Sequence, residues 1–220
     1  VFRVDTRLRP FGESGPLVMD FETMERYYQE QGREWERYAL IKARAVAGDR
    51  DAGAFLLDRL QPFIYRRYLD YSVFESLREM KQMIALEVKR KGMENNIKLG
   101  AGGIREIEFF GQIFQLIRGG VNPTLQNTGI LTVLKTLALE RHVPPEVCEE
   151  LIDAYVFLRN TENRLQAFSD QQTQKLPTDD HGQLRLAVSM GFPDPESFNT
   201  ALKNIREIVH GHFQMLLESG

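Results

Sequence analysis

Asn96-Ile97-Lys98-Leu99-Gly100-Ala101-Gly102-Gly103-Ile104-Arg105-Glu106-Ile107-Glu108-Phe109-Phe110-Gly111-Gln112 is the stretch on which the fold turns. Three glycines fall within positions 100–103, and a segment rich in Ile and Phe follows them to Arg118. Its apolar residues cover most of a helical circumference, which predicts a helix inside a bundle. Arg105, Glu108, Gln112 and Gln115 recur at i, i+3, i+7 and i+10, so they share one face. A buried helix with a polar stripe needs partners for that stripe. The glycine-rich start predicts free backbone N–H groups, and Lys98 and Arg105 add positive charge beside them. That combination can hold an anion. The same residues also suit an ordinary tight helix start with an Arg105–Glu108 ion pair.

Outward from this helix, nearly everything after Asp20 has helical period. Helices are predicted over 22–31, 33–46, 51–60, 72–91, 130–141, 145–170, 183–190 and 196–217. In the second of these Trp35, Tyr38, Ile41 and Ala45 face one way. Pro62 should end or kink the third, and Asp49 reads as its N-cap. Gly92 and Gly119-Gly120 are stops. Before Asp20 the period is two. Phe2, Val4, Thr6 and Leu8 alternate with Arg3, Asp5, Arg7 and Arg9, Pro10 to Gly15 form a turn, and Pro16 to Met19 suit a return strand. The expected architecture is a mainly α chain, a helical bundle over 21–220 preceded by a short β-hairpin over 1–20.

Composition is that of an ordinary globular protein, with 42% hydrophobic and 27% charged residues. The net charge of −3 supplies no basic field for nucleic acid. No run is long and apolar enough to cross a membrane. A single cysteine, Cys148, fits a reducing, cytoplasmic setting. The chain opens at Val1 inside what reads as a strand, so it is expected to be a piece of a longer protein.

Asp5 is the first candidate for chemistry. It shares the alternating face with Arg3, Arg7 and Arg9, and neighbouring cations keep a carboxylate ionised. A carboxylate for Mg²⁺ beside arginines for phosphate oxygens suits a metal-and-phosphate site; a solvated face of paired charges suits the pattern as well. The four histidines show no carboxylate or cysteine at ligand spacing. His210 and His212 point about 200° apart on a helix and cannot share one metal.

Three segments resemble one family, and they occur in its order. Phe2 to Leu17 resembles the R-x-D-x-x-L-R-P-x-G-x-x-G-x-L signature of glutamine synthetase adenylyltransferase/adenylyl-removing enzymes. Trp35 to Arg44 resembles their W-E-x-x-A-L-x-K-A-R segment, and Asn96 to Phe109 their N-I-K-x-G-x-G-G-I-R-E-I-E-F segment. The wording is closest to the amino-terminal, deadenylylating half. The resemblance implies phosphorolysis of AMP from a tyrosine of glutamine synthetase, giving ADP, with an ATP-dependent adenylylating activity in the other half. It implies glutamine synthetase, the PII signal protein, nucleotide and phosphate as partners, and Mg²⁺ as cofactor. It places the 1–20 hairpin at the edge of a polymerase-β-type nucleotidyltransferase fold. Asp5 matches the third catalytic carboxylate and so a metal ligand; the family's earlier G-S-x-x-D-x-D pair has no match in this chain. Arg3, Arg7 and Arg9 become phosphate-contact candidates, with Lys98, Arg105 and Glu108 lining the site from the helical side. Two further readings stay open: a helical binding module for PII or glutamine synthetase without a catalytic role, and the adenylylating half.

Overall fold

The computed structural model describes residues 5–66, 95–168 and 172–219, and between the first two segments positions 75, 78, 79, 82, 83, 86, 90 and 92. Among these residues there are eight α-helices: α1 Phe21–Glu30, α2 Glu34–Leu40, α3 Arg50–Ile64, α4 Ile104–Arg118, α5 Ile130–Leu139, α6 Pro145–Ala167, α7 Asp180–Ser189 and α8 Pro195–Ser219. The expected helix over 72–91 lies largely outside the described residues.

Short polar side chains set the helix starts, because the first N–H groups of a helix lack intrahelical acceptors. Asp20 accepts from the Thr23 amide at 2.9 Å, Asp49 from Ala52 at 2.9 Å, Asp179 from Gly182 at 2.8 Å and Asp194 from Ser197 at 2.7 Å. Pro145 occupies the first turn of α6, where its missing N–H costs nothing. Pro62 sits inside α3, which continues to Ile64.

Two expectations need correction. The described part of the proposed hairpin, residues 5–20, contains no strand; its one regular piece is a 3₁₀ turn over Gly12–Ser14. The alternation fails because Arg9 N–H bonds Arg7 C=O and Phe11 and Gly12 both take positive φ, so the chain coils instead of extending. Leu8, Leu17 and Val18 remain exposed, so the apolar half of the alternation buries nothing among the described residues. The helix expected over 33–46 is shorter, and its inward face is only partly the expected one. Tyr38 and Ile41 are buried as expected, but Trp35 is exposed, and Glu36 and Arg37 are buried as well.

The chain divides into two compact units. The first holds Val1–Ser76 and Gln112–Gly129. In it α1 and α2 pack on α3, whose Leu56, Leu60 and Ile64 form a buried i, i+4, i+8 stripe. Rings of Tyr28 and Phe63 meet at 5.2 Å. The second holds Leu77–Gly111 and Ile130–Gly220. There α5 packs on α6, and α6 and α7 pack on α8. Phe157, Phe192 and Phe198 close a three-ring cluster with centroids 5.5–6.2 Å apart. The helix predicted to be central is so: no residue of α4 before Arg118 is exposed, and Ile104, Ile107, Ile113 and Leu116 are fully buried. Each such side chain contributes about 2 kcal/mol of burial.

Candidate functional site

In the first unit Asp5 and Arg7 form one exposed ion pair. Arg7 Nη2 lies 2.7 Å from Asp5 Oδ2. Arg7 Nε and the Arg7 backbone N–H add bonds to Oδ1 at 3.0 and 2.9 Å. These bonds hold the Asp5 carboxyl down at about 2, so it is ionised at any ordinary pH. Arg9 behaves differently. Its guanidinium donates to the carbonyls of Gly15 and Glu13, both at 3.1 Å, and of Thr6, so it ties the 3₁₀ turn together. Gly15 leaves no room for a side chain there, since a Cβ would sit 2.0 Å from the Pro10 carbonyl oxygen. Arg3 lies outside the described residues.

The same unit holds a charged cluster that joins i, i+3 pairs of α2 to the distant residues Ile64 and Arg66. Arg37 is buried completely in α2; it donates to the Ile64 carbonyl at 3.1 Å and to Glu34 at 2.7 Å. Arg66 reaches the other oxygen of Glu34. Glu36, also buried, accepts from the Arg33 amide at 2.8 Å and from the Tyr27 hydroxyl at 3.1 Å. Thus the charges of the Trp35–Arg44 segment lock α1, α2 and the end of α3 together. A guanidinium as deeply buried as that of Arg37 is costly to leave without its partner.

In the second unit the glycine turn does not present the free N–H groups expected of it. The amides of Gly103, Ile104, Arg105 and Glu106 bond to carbonyls of Gly100, Ile97, Lys98 and Gly103 at 3.0–3.1 Å. Asn96 Oδ1 takes the amides of Lys98 and Leu99, both at 2.9 Å, and Glu106 takes that of Gly102 at 2.9 Å. Most of the turn's amides are therefore taken within the chain, and Gly102 and Gly103 serve close packing. Gly102 has φ +67°, and a Cβ on it would stand 2.0 Å from the Arg206 carbonyl oxygen of α8.

The polar stripe of α4 likewise meets the chain itself. Gln115, buried, donates to the carbonyls of Leu125 and Asn127 at 2.7 and 2.8 Å. Glu108 pairs with Arg159 of α6 at 2.9 Å, and Arg159 also holds Glu162 at 2.6 Å. The expected Arg105–Glu108 pair is thus replaced, and Arg105 lies over the ring of Phe109. Lys98 is half-buried beside the turn. Both α8 histidines have carboxylate partners invisible at short range: His210 Nδ1 lies 3.0 Å from Glu106, and His212 Nε2 2.5 Å from Glu150. Glu106 thereby joins α8 to the glycine turn. An acidic residue three positions after Gly103 is the one sequence signal that could have announced it.

The structure groups Asp5, Arg7 and Arg9 in the first unit and Lys98, Arg105 and Glu108 in the second. Among the described residues no set of three or more His, Cys, Asp or Glu side chains could hold a metal ion. Asp5 offers a single carboxylate already turned to Arg7, which by itself does not fit Mg²⁺, an ion that asks for octahedral oxygen ligation.

Comparison with known proteins gives two family matches. Residues 78–217 match the model for GlnD PII-uridylyltransferase, and residues 1–59 that for glutamate-ammonia ligase adenylyltransferase. The chain is 60% identical over 216 residues to a bifunctional glutamine synthetase adenylyltransferase/adenylyl-removing enzyme of Nitrosococcus oceani, covering 98% of this chain and 22% of that protein. It is 58% identical to the enzyme of that name from Thioalkalivibrio sulfidiphilus, with the same coverage. The Pseudomonas syringae enzyme is 57% identical over 99% of this chain and 22% of its own length. The chain therefore spans about a fifth of the length of these relatives.

Proposed function

Because the chain belongs to the glutamine synthetase adenylyltransferase/adenylyl-removing family, we propose that it is part of an enzyme that controls glutamine synthetase, and of its deadenylylating half. The reaction is removal of AMP from a tyrosine of glutamine synthetase by phosphate, with ADP released. The observation that carries this reading is identity of 57–60% across 98–99% of the chain to proteins bearing that name.

Within that reaction the residues have separable tasks. Asp5 supplies a carboxylate that stays charged, and Arg7 presents an exposed guanidinium suited to phosphate oxygens. Arg9 shapes the turn that carries them. Arg3 is a further phosphate-contact candidate. Lys98 is the cation of the second unit we assign to an anionic group of the substrate; Arg105 and Glu108 order α4 and its contact with α6. In the whole enzyme Asp5 would be one carboxylate among others holding Mg²⁺, which would supply positive charge against the phosphoryl oxygens. PII acts as the regulatory partner.

The competing reading is a binding module. The glycine turn favours it for the second unit, since most of that turn's amides are already bonded within the chain. The two activities of the complete enzyme separate the readings of which half this is. ADP formed from adenylylated glutamine synthetase and phosphate should be lost on charge removal at Asp5 and Arg7, while pyrophosphate release from ATP continues. Loss of the second activity alone would assign the chain to the adenylylating half, and loss of neither would favour the module.

A further inference from the structure

Phe11 holds a backbone conformation that its neighbours must impose. Its φ of +61° lies in the left-handed region, where a bulky L side chain is strained. Such a residue persists when the surrounding structure fixes it, and positions of this kind gather at functional sites. Three contacts grip Phe11. Its ring meets that of Tyr27 edge-on, with centroids 4.6 Å apart. Its carbonyl accepts from the Ser14 hydroxyl at 2.8 Å. Gly15 packs so close that a Cβ there would stand 3.0 Å from Phe11 Cβ.

Tyr27 is itself anchored. It is buried in α1, and its hydroxyl donates to Glu36 of α2 at 3.1 Å. Glu36 is held in turn by the Arg33 amide at 2.8 Å. On its other side the Tyr27 ring meets Tyr28 at 5.1 Å, and Tyr28 meets Phe63 of α3 at 5.2 Å. A file of rings thus runs from the amino-terminal turn into the packed helices of the first unit. Phe11 is 45% exposed, so its ring adds little to the core. Its effect falls on the turn. The Arg9 guanidinium binds the carbonyls of Thr6, Glu13 and Gly15, and the Arg9 amide binds that of Arg7 at 3.0 Å. Residues 6–15 are thereby tied together with Phe11 among them, and Asp5 and Arg7 stand at one end of the tie.

We propose that Phe11 and Tyr27 are positioning residues for the Asp5–Arg7 pair. Tyr27, fixed by Glu36, holds Phe11 in its left-handed conformation, and Phe11 sets the direction in which the turn presents Asp5 and Arg7. The proposal rests on the role assigned to that pair above. Groups that act on a transition state are sensitive to displacements of about 1 Å. Loss of an interaction made only in the transition state lowers kcat and leaves KM in place.

The test uses the complete enzyme. Deadenylylation kinetics are measured for Phe11→Gly, Phe11→Tyr, Tyr27→Leu, the double variant Phe11→Gly with Tyr27→Leu, and Asp5→Asn. Phe11→Gly relieves the φ strain and removes only a half-exposed ring, so melting temperature should hold. Its kcat should fall about tenfold or more, with KM within about twofold of wild type. Phe11→Tyr keeps the ring and should keep wild-type turnover. The double variant should be no slower than the slower single variant, because both act through one contact. Cleavage at Glu13 by a glutamyl endopeptidase, mapped by mass spectrometry, should rise about tenfold in Phe11→Gly and stay unchanged in Asp5→Asn. Wild-type kcat in Phe11→Gly beside an inactive Asp5→Asn would overturn the positioning role alone. Unchanged cleavage at Glu13, a change confined to melting temperature, or losses that multiply in the double variant would overturn it as well. Full activity in Asp5→Asn would instead overturn the reading on which it rests, and this proposal with it.

Discussion

Replacing Gly102 with alanine tests the role given to the glycine turn. Two separate costs apply. At φ +67° an L side chain is strained, worth about 1 kcal/mol. The new Cβ would also stand 2.0 Å from the Arg206 carbonyl oxygen and 2.5 Å from its carbon. That neighbour is backbone of α8 and cannot swing aside as a side-chain tip does. Displacing it costs about 2 kcal/mol, in the range of overpacked cores. The sum, about 3 kcal/mol, should lower the melting temperature by about 10 °C for a chain of this size. Gly191→Ala is the internal control. Its φ is +85°, with nothing within 4 Å of the new Cβ, so it carries strain without the clash. Paired urea and thermal melts followed by circular dichroism give the difference. If Gly102→Ala were no worse than Gly191→Ala, the close approach of the turn to α8 would be wrong, and the glycines would have to be explained by a ligand.

Further outcomes follow from the buried and paired groups. Arg37→Ala should destabilise by about 3 kcal/mol, because it leaves a hole and an unanswered Ile64 carbonyl; Arg37→Lys should not restore the loss, since an ammonium cannot reproduce the guanidinium fork. Burial pushes the Cys148 thiol up to about 11, so a thiol reagent should leave it untouched at neutral pH and react only on unfolding. The Asp5 carboxyl, followed by carbon NMR, should titrate near 2, and Arg7→Ala should return it toward the ordinary carboxylate range. The sign follows: a depressed carboxylate stabilises fully above about pH 4 and loses its contribution as pH falls through about 2.

Helices α6 and α8 were legible because their apolar period is sustained and their starts are marked by Pro, whereas α7 begins at Asp180, three residues before its expected start. Helix α6 begins at Pro145 as its proline pair indicates, and α8 begins within one residue of its expected start. The amino-terminal alternation misled, since period two reports a strand only when a neighbouring strand takes its hydrogen bonds, and Arg9 instead takes up the carbonyls of Thr6, Glu13 and Gly15. At the glycine turn the expectation of free N–H groups met the same difficulty, because most of those amides bond within the turn. Glycines signal tight backbone geometry, and sequence does not tell whether a phosphate or the Arg206 carbonyl requires it. The Glu106–His210 and Glu34–Arg66 pairs span 104 and 32 residues, beyond any periodicity. Short-range pairs such as Asp5–Arg7, two residues apart, lie within reach of sequence reading.

The central claim is tested most directly in the complete enzyme, by measuring ADP released from adenylylated glutamine synthetase and phosphate with wild type and with Asp5→Asn. Asp5 is exposed and its removal leaves no buried partner, so melting temperature should be nearly unchanged. Turnover should fall about a hundredfold or more, the scale of losing a group that stabilises transition-state charge. Deadenylylation at the wild-type rate by a normally folded Asp5→Asn enzyme would contradict the account and reduce Asp5 and Arg7 to a surface ion pair.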